Sequence, residues 1–318
     1  MSSRIRVGVI GVGYLGRFHA LIYSRMSDVE LVGVVDSDAA RAQQVAAEAG
    51  CRAFASGEEL APHIDAVSIV VPTSSHLDVA RPLLAAGVHM LMEKPIASTL
   101  AEGEEIVRLA DEAGVLLQIG HLERFNAGVM ALAGRISKPR FIEAHRMSGF
   151  VARATDVDVV SDLMIHDIDI ILSLVNAEIS AISAVGTPVL TPHVDIANAR
   201  LEFDNGTVAN VIASRVSERT MRRIRVFEEN RYESLDFIEQ RIDTAFPRER
   251  AGEAWPEVVT ERVEVEAVKP LDAEIAAFVA SVRSGTLPLV SGRVGQKALE
   301  VALNVKAEIL SRLERGIR

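Results

Sequence analysis

The sequence predicts an α/β protein in which a doubly wound parallel sheet is followed by a second, strand-rich domain. Three observations carry that reading. Over residues 1–120, short apolar runs alternate with stretches of helical spacing, the pattern of repeated βα units. The first run, 5–10, leads straight into Gly11-Val12-Gly13-Tyr14-Leu15-Gly16. The second half instead holds several strand-like segments, with a hairpin signal at Asp204-Asn205-Gly206.

Residues 5–10 suit a strand buried on both faces. After the glycine turn, 14–26 has helical spacing at Leu15, Phe18, Leu21 and Ile22, and 30–35 is a second apolar strand closed by Asp36. In this βαβ unit Gly11 allows the tight turn, Gly13 lets the backbone approach a pyrophosphate, and Gly16 lets the helix pack close to the strand. The helix start offers free N–H groups and a partial positive charge to phosphates. Asp36 stands 20 residues after Gly16 (36 − 16), where a carboxylate holds ribose hydroxyls and repels a 2′-phosphate. NAD is therefore expected over NADP, although Ser37 and Arg41 could tolerate a phosphate. A lone GxGxxG is a weak signal; the strand before it, the helix after it and the distant acid make this one a dinucleotide cradle.

Further βα units follow. Residues 38–49 form an alanine-rich helix ending at Gly50, and Cys51 enters a short strand over 51–54. Strand 66–71 stops at Pro72-Thr73-Ser74-Ser75-His76, because proline lacks a ladder donor. One of the serines can cap the helix that runs to Ala86. Then come strand 89–93, helix 99–113 and a sixth strand, 115–120. Ligands of such sheets bind at the carboxyl ends of the strands, which marks Pro72-Thr73, Glu93-Lys94-Pro95 and Gly120-His121. Lys94 follows a buried strand and precedes a proline that holds it extended. It reads as a cation or hydrogen-bond donor facing a nicotinamide, against the plainer reading of a solvated loop charge. For His76 and His121, a ring satisfied by its neighbours and a ligand contact stand level.

In the second half, 122–136 reads as a linking helix and 141–147 as a strand. Residues 158–175 have helical periodicity and set Asp162 and His166 four apart on one face, with Asp169 nearby. Segments 179–186, 197–203, 208–214, 222–227 and 232–238 read as strands of one sheet that this helix could cover. Residues 240–256 read as a charged loop, and 271–283 and 293–313 as terminal helices, the last packing back on the first domain. The domains are set at 1–121 and 122–318. A metal held by His166, Asp167 and Asp169 lacks any His-Glu-x-x-His or cysteine cluster behind it, so none is expected.

Composition sets the outer limits. A chain of 318 residues is long enough for two domains, and 49% hydrophobic with 25% charged residues is ordinary for a soluble globular protein. The net charge of −10 argues against nucleic-acid or anionic-membrane partners. No uninterrupted apolar run of about 18 residues marks a membrane span. Two arginines within residues 1–6, ahead of an apolar run, mimic a secretory signal, but four glycines, Arg17 and His19 break the run. The single cysteine, Cys51, allows no internal disulfide and fits a cytoplasmic protein.

Five segments occur here in the order seen in the Gfo/Idh/MocA oxidoreductases. They are Gly11 to Gly16, Pro72-Thr73, Glu93-Lys94-Pro95, Gly120-His121-Leu122-Glu123-Arg124-Phe125-Asn126, and Asp162 with His166-Asp167. The sequence resembles that family along nearly its whole length. The resemblance implies a Rossmann domain followed by an α+β domain with an open, mostly antiparallel sheet. The sheet's free face would pair subunits into a homodimer or homotetramer. It also implies that Lys94 lies at the active site, that its peptide to Pro95 is often cis, and that Asp162 and His166 match the family's aspartate and histidine. A narrower likeness lies in 121–126, 141–146, 155–160 and 195–200. It is to bacterial members linked to lipid A sugar biosynthesis, which resemble UDP-N-acetylglucosamine 3-dehydrogenases.

The implied activity is NAD-dependent oxidation of a ring hydroxyl of a sugar nucleotide. Lys94, His166 and Asp162 would be catalytic: His166 as general base, Lys94 on the developing alkoxide, Asp162 orienting sugar or base. Cofactor contacts are expected at Gly11, Gly13, Tyr14, Leu15, Gly16, Asp36, Pro72, Thr73, His76, Glu93 and Lys94. Substrate contacts are expected at Lys94, His121, Arg124, Arg146, Arg153, Asp162 and His166. Arg146 and Arg153 flank 147–152, and arginine's planar fork suits a diphosphate. The alternatives are a dehydrogenase of a free sugar or inositol, and a non-catalytic dinucleotide-binding sensor.

Overall fold

The computed structural model describes residues 4–151, 157–251, 253–266 and 268–316. Six strands make the first sheet: β1 (Ile5–Ile10), β2 (Val29–Val35), β3 (Arg52–Ala53), β4 (Ala66–Ile69), β5 (His89–Glu93) and β6 (Leu117–Gly120). Their order is β3-β2-β1-β4-β5-β6, parallel throughout. Between them run α1 (Tyr14–Tyr23), α2 (Ala39–Ala49), α3 (Gly57–Leu60), α4 (His76–Ala85) and α5 (Leu100–Ala113). Every residue of β4 and β6 is buried, as in a sheet covered on both faces. The strand order reverses between β1 and β4, which opens a crevice at their carboxyl ends.

Local chemistry sets the helix ends. The Asp38 carboxylate accepts from the N–H groups of Ala40 and Arg41 at the start of α2, which stops at left-handed Gly50. Thr99 and Glu102 form a capping box at α5. The serine cap expected for α4 is absent. Thr73–Ser75 instead wind into a 3₁₀ turn, so Ser75 carries helical dihedrals and its hydroxyl reaches no first-turn N–H.

The second sheet has eight strands: β7 (Phe141–Met147), β8 (Ile179–Thr187), β9 (Ile196–Phe203), β10 (Val208–Ser214), β11 (Met221–Glu228), β12 (Arg231–Asp236), β13 (Arg241–Arg248) and β14 (Glu257–Glu264). Their order is β14-β13-β12-β11-β7-β10-β9-β8, antiparallel except where β10 pairs with β7. Period two buries one face, with Ile142 and Ala144 on β7, Ala209 and Val211 on β10, and Ile224 and Val226 on β11. Two helices, α6 (Ala127–Ala133) and α7 (Ile165–Leu174), pack against this sheet.

Three segments differ from the sequence reading. Residues 122–136 are not one helix: a 3₁₀ turn, Leu122–Phe125, precedes α6, which restarts where the Asn126 side chain accepts from the Gly128 N–H at 2.9 Å. Residues 158–175 begin with a π turn, Val160–Met164, before α7. Residues 240–256 are not a loop, since β13 runs through them and β14 follows at the sheet edge.

Among the described residues the chain divides into two units, 4–122 with 269–299, and 123–268 with 300–316. In the first, α8 (Pro270–Ser284) contributes Ile275, Phe278 and Val279 to a core shared with Val7, Val9, Ala20 and Val34. The last helix, α9 (Gly292–Glu314), starts with Gly292 and Gly295 against Leu117 and Ile119. In the second unit its Lys306 lies 2.8 Å from Asp158.

Candidate active site

In the first unit the glycine cradle has the geometry its sequence demands. Gly11 holds φ +83°, in the left-handed region that favours glycine, and its N–H donates to the Val35 carbonyl at 2.8 Å. A Cβ on Gly16 would stand 1.8 Å from the Gly11 carbonyl oxygen. A Cβ on Gly13 would meet nothing within 4 Å, so this is the side from which a ligand can approach. No side chain caps the first turn of α1, which leaves its N–H groups for an anion. A cleft of about 620 Å³ opens here, lined by Gly11, Gly13, Asp36, Val71, Pro72 and Ser75. These residues fit a dinucleotide: a tight turn, an open backbone approach and an uncapped helix end.

Asp36 closes the cradle. One carboxylate oxygen accepts from the Val12 N–H at 2.8 Å, the other from the Asp38 N–H at 2.9 Å. Arg41 reaches Asp36 and Asp38, each at 3.4 Å. Leu15 is half-buried at the start of α1, whereas Tyr14 is exposed with its ring edge-on to Phe18. Pro72 is exposed, and Thr73 opens the 3₁₀ turn.

Lys94 is half-buried and follows β5 directly, and its peptide to Pro95 is cis. Two neighbours depart from the expected cofactor contacts. His76 is 1% exposed, with Nδ1 3.2 Å from the Ile96 carbonyl and Nε2 3.1 Å from the Val71 carbonyl. Burial lowers its pKa. Its ring braces two loop backbones rather than facing the cleft. Glu93 turns inward: its carboxylate stands about 2.9 Å from where a Cβ on Gly120 would be. His121, expected to touch substrate, is buried at the end of β6. Burial also pushes the Cys51 thiol up to about 11, which makes it a poor nucleophile.

In the second unit, Asp162 lies in the π turn and His166 in the first turn of α7, both half-buried. Asp158 starts this segment, its carboxylate accepting from the N–H groups of Val160 and Ser161 at 3.0 and 2.9 Å. π turns inside helices are frequent at functional sites. Two acids that follow His166 in α7 are tied down by arginine. Asp167 receives Nε and Nη2 of Arg146 at 2.8 and 2.9 Å, and Arg146 Nη1 donates to Glu123 at 2.7 Å. Asp169 lies 3.4 Å from Arg124. Burial opposes the Arg146 charge, but Asp167 and Glu123 outweigh it and raise its pKa further.

Arg146 is therefore not a free fork for a diphosphate. It is 4% exposed, and two carboxylates occupy its guanidinium. Arg124, also expected at the substrate, is turned to Asp169. Arg153 lies outside the described residues, as do Thr155 and Asp156 of the narrower likeness. The sequence reading missed the Glu123–Arg146–Asp167 group. Its signal was the parity of β7, which puts Arg146 in phase with buried Ile142 and Ala144.

Two family models match: an oxidoreductase family with an NAD-binding Rossmann fold over residues 5–121, and the GFO/IDH/MocA C-terminal domain over 129–231. The chain is 41% identical over 313 residues to the UDP-N-acetylglucosamine 3-dehydrogenase of Acidithiobacillus ferrooxidans, spanning 98% of this chain and 99% of that protein. A solved structure of that enzyme superposes with a TM-score of 0.91, covering 97% of this chain and 98% of that one at 39% identity. The scyllo-inositol 2-dehydrogenase (NAD(+)) of Bacillus subtilis is 33% identical over 68% of this chain and 69% of its own length. The two matches run in the order in which the parallel and mixed sheets are built, and the chain belongs to the GFO/IDH/MocA family of oxidoreductases.

Proposed function

We propose that this protein is an NAD-dependent dehydrogenase that oxidises the 3-hydroxyl of UDP-N-acetylglucosamine. The observation that carries the reading is the likeness to the Acidithiobacillus enzyme, which runs along almost the whole of both chains. The inositol dehydrogenase likeness is weaker in identity and covers about two thirds. Bound NAD supplies the hydride acceptor. The chain supplies position and charge. The open face of Gly13 and the first turn of α1 take the pyrophosphate, and Asp36 takes the ribose hydroxyls. Lys94 stabilises the alkoxide as charge develops on the sugar oxygen. The His166 imidazole accepts the hydroxyl proton, since an imidazole as a group titrates near working pH. Asp162 orients the sugar. Arg153 is the remaining arginine proposed for the diphosphate.

Two measurements test this. A panel of UDP-sugars, free sugars and inositols is expected to show NADH formation fastest with UDP-N-acetylglucosamine. A free sugar turned over as fast as its UDP derivative would discard the substrate. The second measurement concerns cofactor choice. Asp36→Ala is expected to weaken NAD and narrow its margin over NADP, because the variant loses both a ribose acceptor and the tether on the Val12 N–H. A wild-type enzyme with the lower KM for NADP would overturn the assignment, and Arg41 would then be the 2′-phosphate partner.

A further inference from the structure

Arg146 is buried in the second unit, on the face of β7 that meets α7, and no step of the reaction above uses it. Its guanidinium is held from three directions. Nε and Nη2 donate side by side to the two oxygens of Asp167, and Nη1 donates to Glu123 in the 3₁₀ turn. The Phe237 ring lies with its centroid 5.4 Å from the guanidinium carbon. Buried ionic groups of this kind often add no stability over apolar residues of similar volume. What they supply, and apolar packing does not, is direction: two parallel hydrogen bonds from one planar fork admit one orientation of the carboxylate.

Asp167 follows His166 in the first turn of α7. That turn begins without a side-chain cap, since its N-cap residue is Met164. Before it comes the π turn Val160–Met164, where the i→i+5 pattern interrupts the α-helical ladder. No regular helix upstream therefore dictates how the first turn is rotated about its axis. The fork of Arg146 does so from outside the helix. Its own backbone is paired on both sides, with Ala213 of β10 and Arg222 of β11, which makes the strand a rigid reference. Successive helical residues point about 100° apart around the axis. A carboxylate pinned toward β7 thus fixes the direction in which His166 leaves the helix.

We propose that Arg146 is a positioning residue of the reaction: by holding Asp167 it sets the rotation of the first turn of α7, and with it the aim of the His166 imidazole at the sugar hydroxyl. The proposal rests on the reading of His166 as the general base. Two changes separate positioning from support of the fold. Lysine at 146 keeps the charge and loses the fork, because an ammonium is a point charge without a planar pair of donors. The triple change Arg146→Met/Asp167→Leu/Glu123→Met removes the ionic group and fills its space with apolar side chains.

The test measures kcat and KM with UDP-N-acetylglucosamine, NAD affinity by calorimetry and stability by urea unfolding. It uses Arg146→Lys, the triple variant, and each of them combined with His166→Ala. Arg146→Lys is expected to lose about ten-fold or more in kcat, the scale of a displaced reacting group, with KM and NAD affinity unchanged. The triple variant is expected to be more stable than Arg146→Met and yet as slow as Arg146→Lys. A triple variant as fast as the wild type overturns the proposal, because the group would then serve the fold alone. Neither change is expected to slow a protein that already carries His166→Ala, since both act through the imidazole, and additive losses overturn the proposal. Should the triple variant fold poorly, the cycle of Arg146→Lys with His166→Ala decides by itself. Full turnover in His166→Ala removes the base and the positioning role together, whereas a slow His166→Ala beside a fast Arg146→Lys removes the positioning role alone.

Discussion

Lys94→Ala and His166→Ala are each expected to lose about 10²-fold or more in kcat, the usual scale for an oxyanion-stabilising or acid–base group. Both should still bind NAD with wild-type affinity, because the cradle residues Gly11, Gly13, Gly16 and Asp36 are untouched. Steady-state rates and calorimetric titration of NAD check the two halves of the expectation. Lys94 is half-buried, so removing it takes a charge from a partly desolvated place where a counter-charge is worth more than in water. His166 stands in the first turn of α7 between the anchored Ile165 and Asp167, so its truncation leaves the helix intact. Unchanged turnover in His166→Ala would remove it from the reaction. Loss of NAD binding in Lys94→Ala would make Lys94 a cofactor contact alone.

The second large effect is on stability. Arg146→Met should cost about 3–5 kcal/mol, the range for removing one partner of a buried ion pair. Asp167 and Glu123 would be left facing each other with side chains 3% and 16% exposed and no cation between them. Urea unfolding measures it directly. The triple variant Arg146→Met/Asp167→Leu/Glu123→Met is expected to recover much of the loss, since a whole buried ionic group can often be exchanged for apolar residues. A neutral Arg146→Met would mean that water reaches the group. The loss is not expected in Arg223→Ala, whose partner Asp236 sits nearer the surface.

These two sites also show what the sequence can and cannot convey. The parallel sheet and its cradle were legible because each βα unit repeats the same local grammar: an apolar run, a glycine or proline stop, a helix of visible period. Gly11, Gly16 and Asp36 follow from that grammar alone. β13 and the edge strand β14 were hidden because Arg241, Asp243, Arg248, Glu257, Glu261 and Arg262 leave too few apolar residues to show a strand pattern, and Pro247 reads as a strand breaker. The π turn at Asp162 was hidden because apolar spacing does not distinguish one extra residue in a helical turn. Arg146 was misread for a different reason. Two arginines around a loop suggest an anion from outside, while the counter-charges that claim Arg146 come from positions 123 and 167, which only the fold brings near it. His76 was undecided on the page for the same cause, since the carbonyls of Val71 and Ile96 carry no sequence signature.

The contribution of α8 to the first core has a consequence for how the protein is made. Ile275, Phe278 and Val279 complete a core whose other members end at Leu91. Residues 1–122 leave the ribosome 157 residues before Val279 (279 − 122), a delay of about 8–30 s at translation rates of 5–20 residues per second. During that interval the nascent nucleotide-binding unit presents the apolar surface that α8 will later cover, and it is a natural client for a holdase. A fragment ending at residue 122 should accordingly be aggregation-prone, and supplying residues 269–299 on a flexible linker should rescue its solubility. Vectorial synthesis thus makes the last part of this chain the gatekeeper of the first.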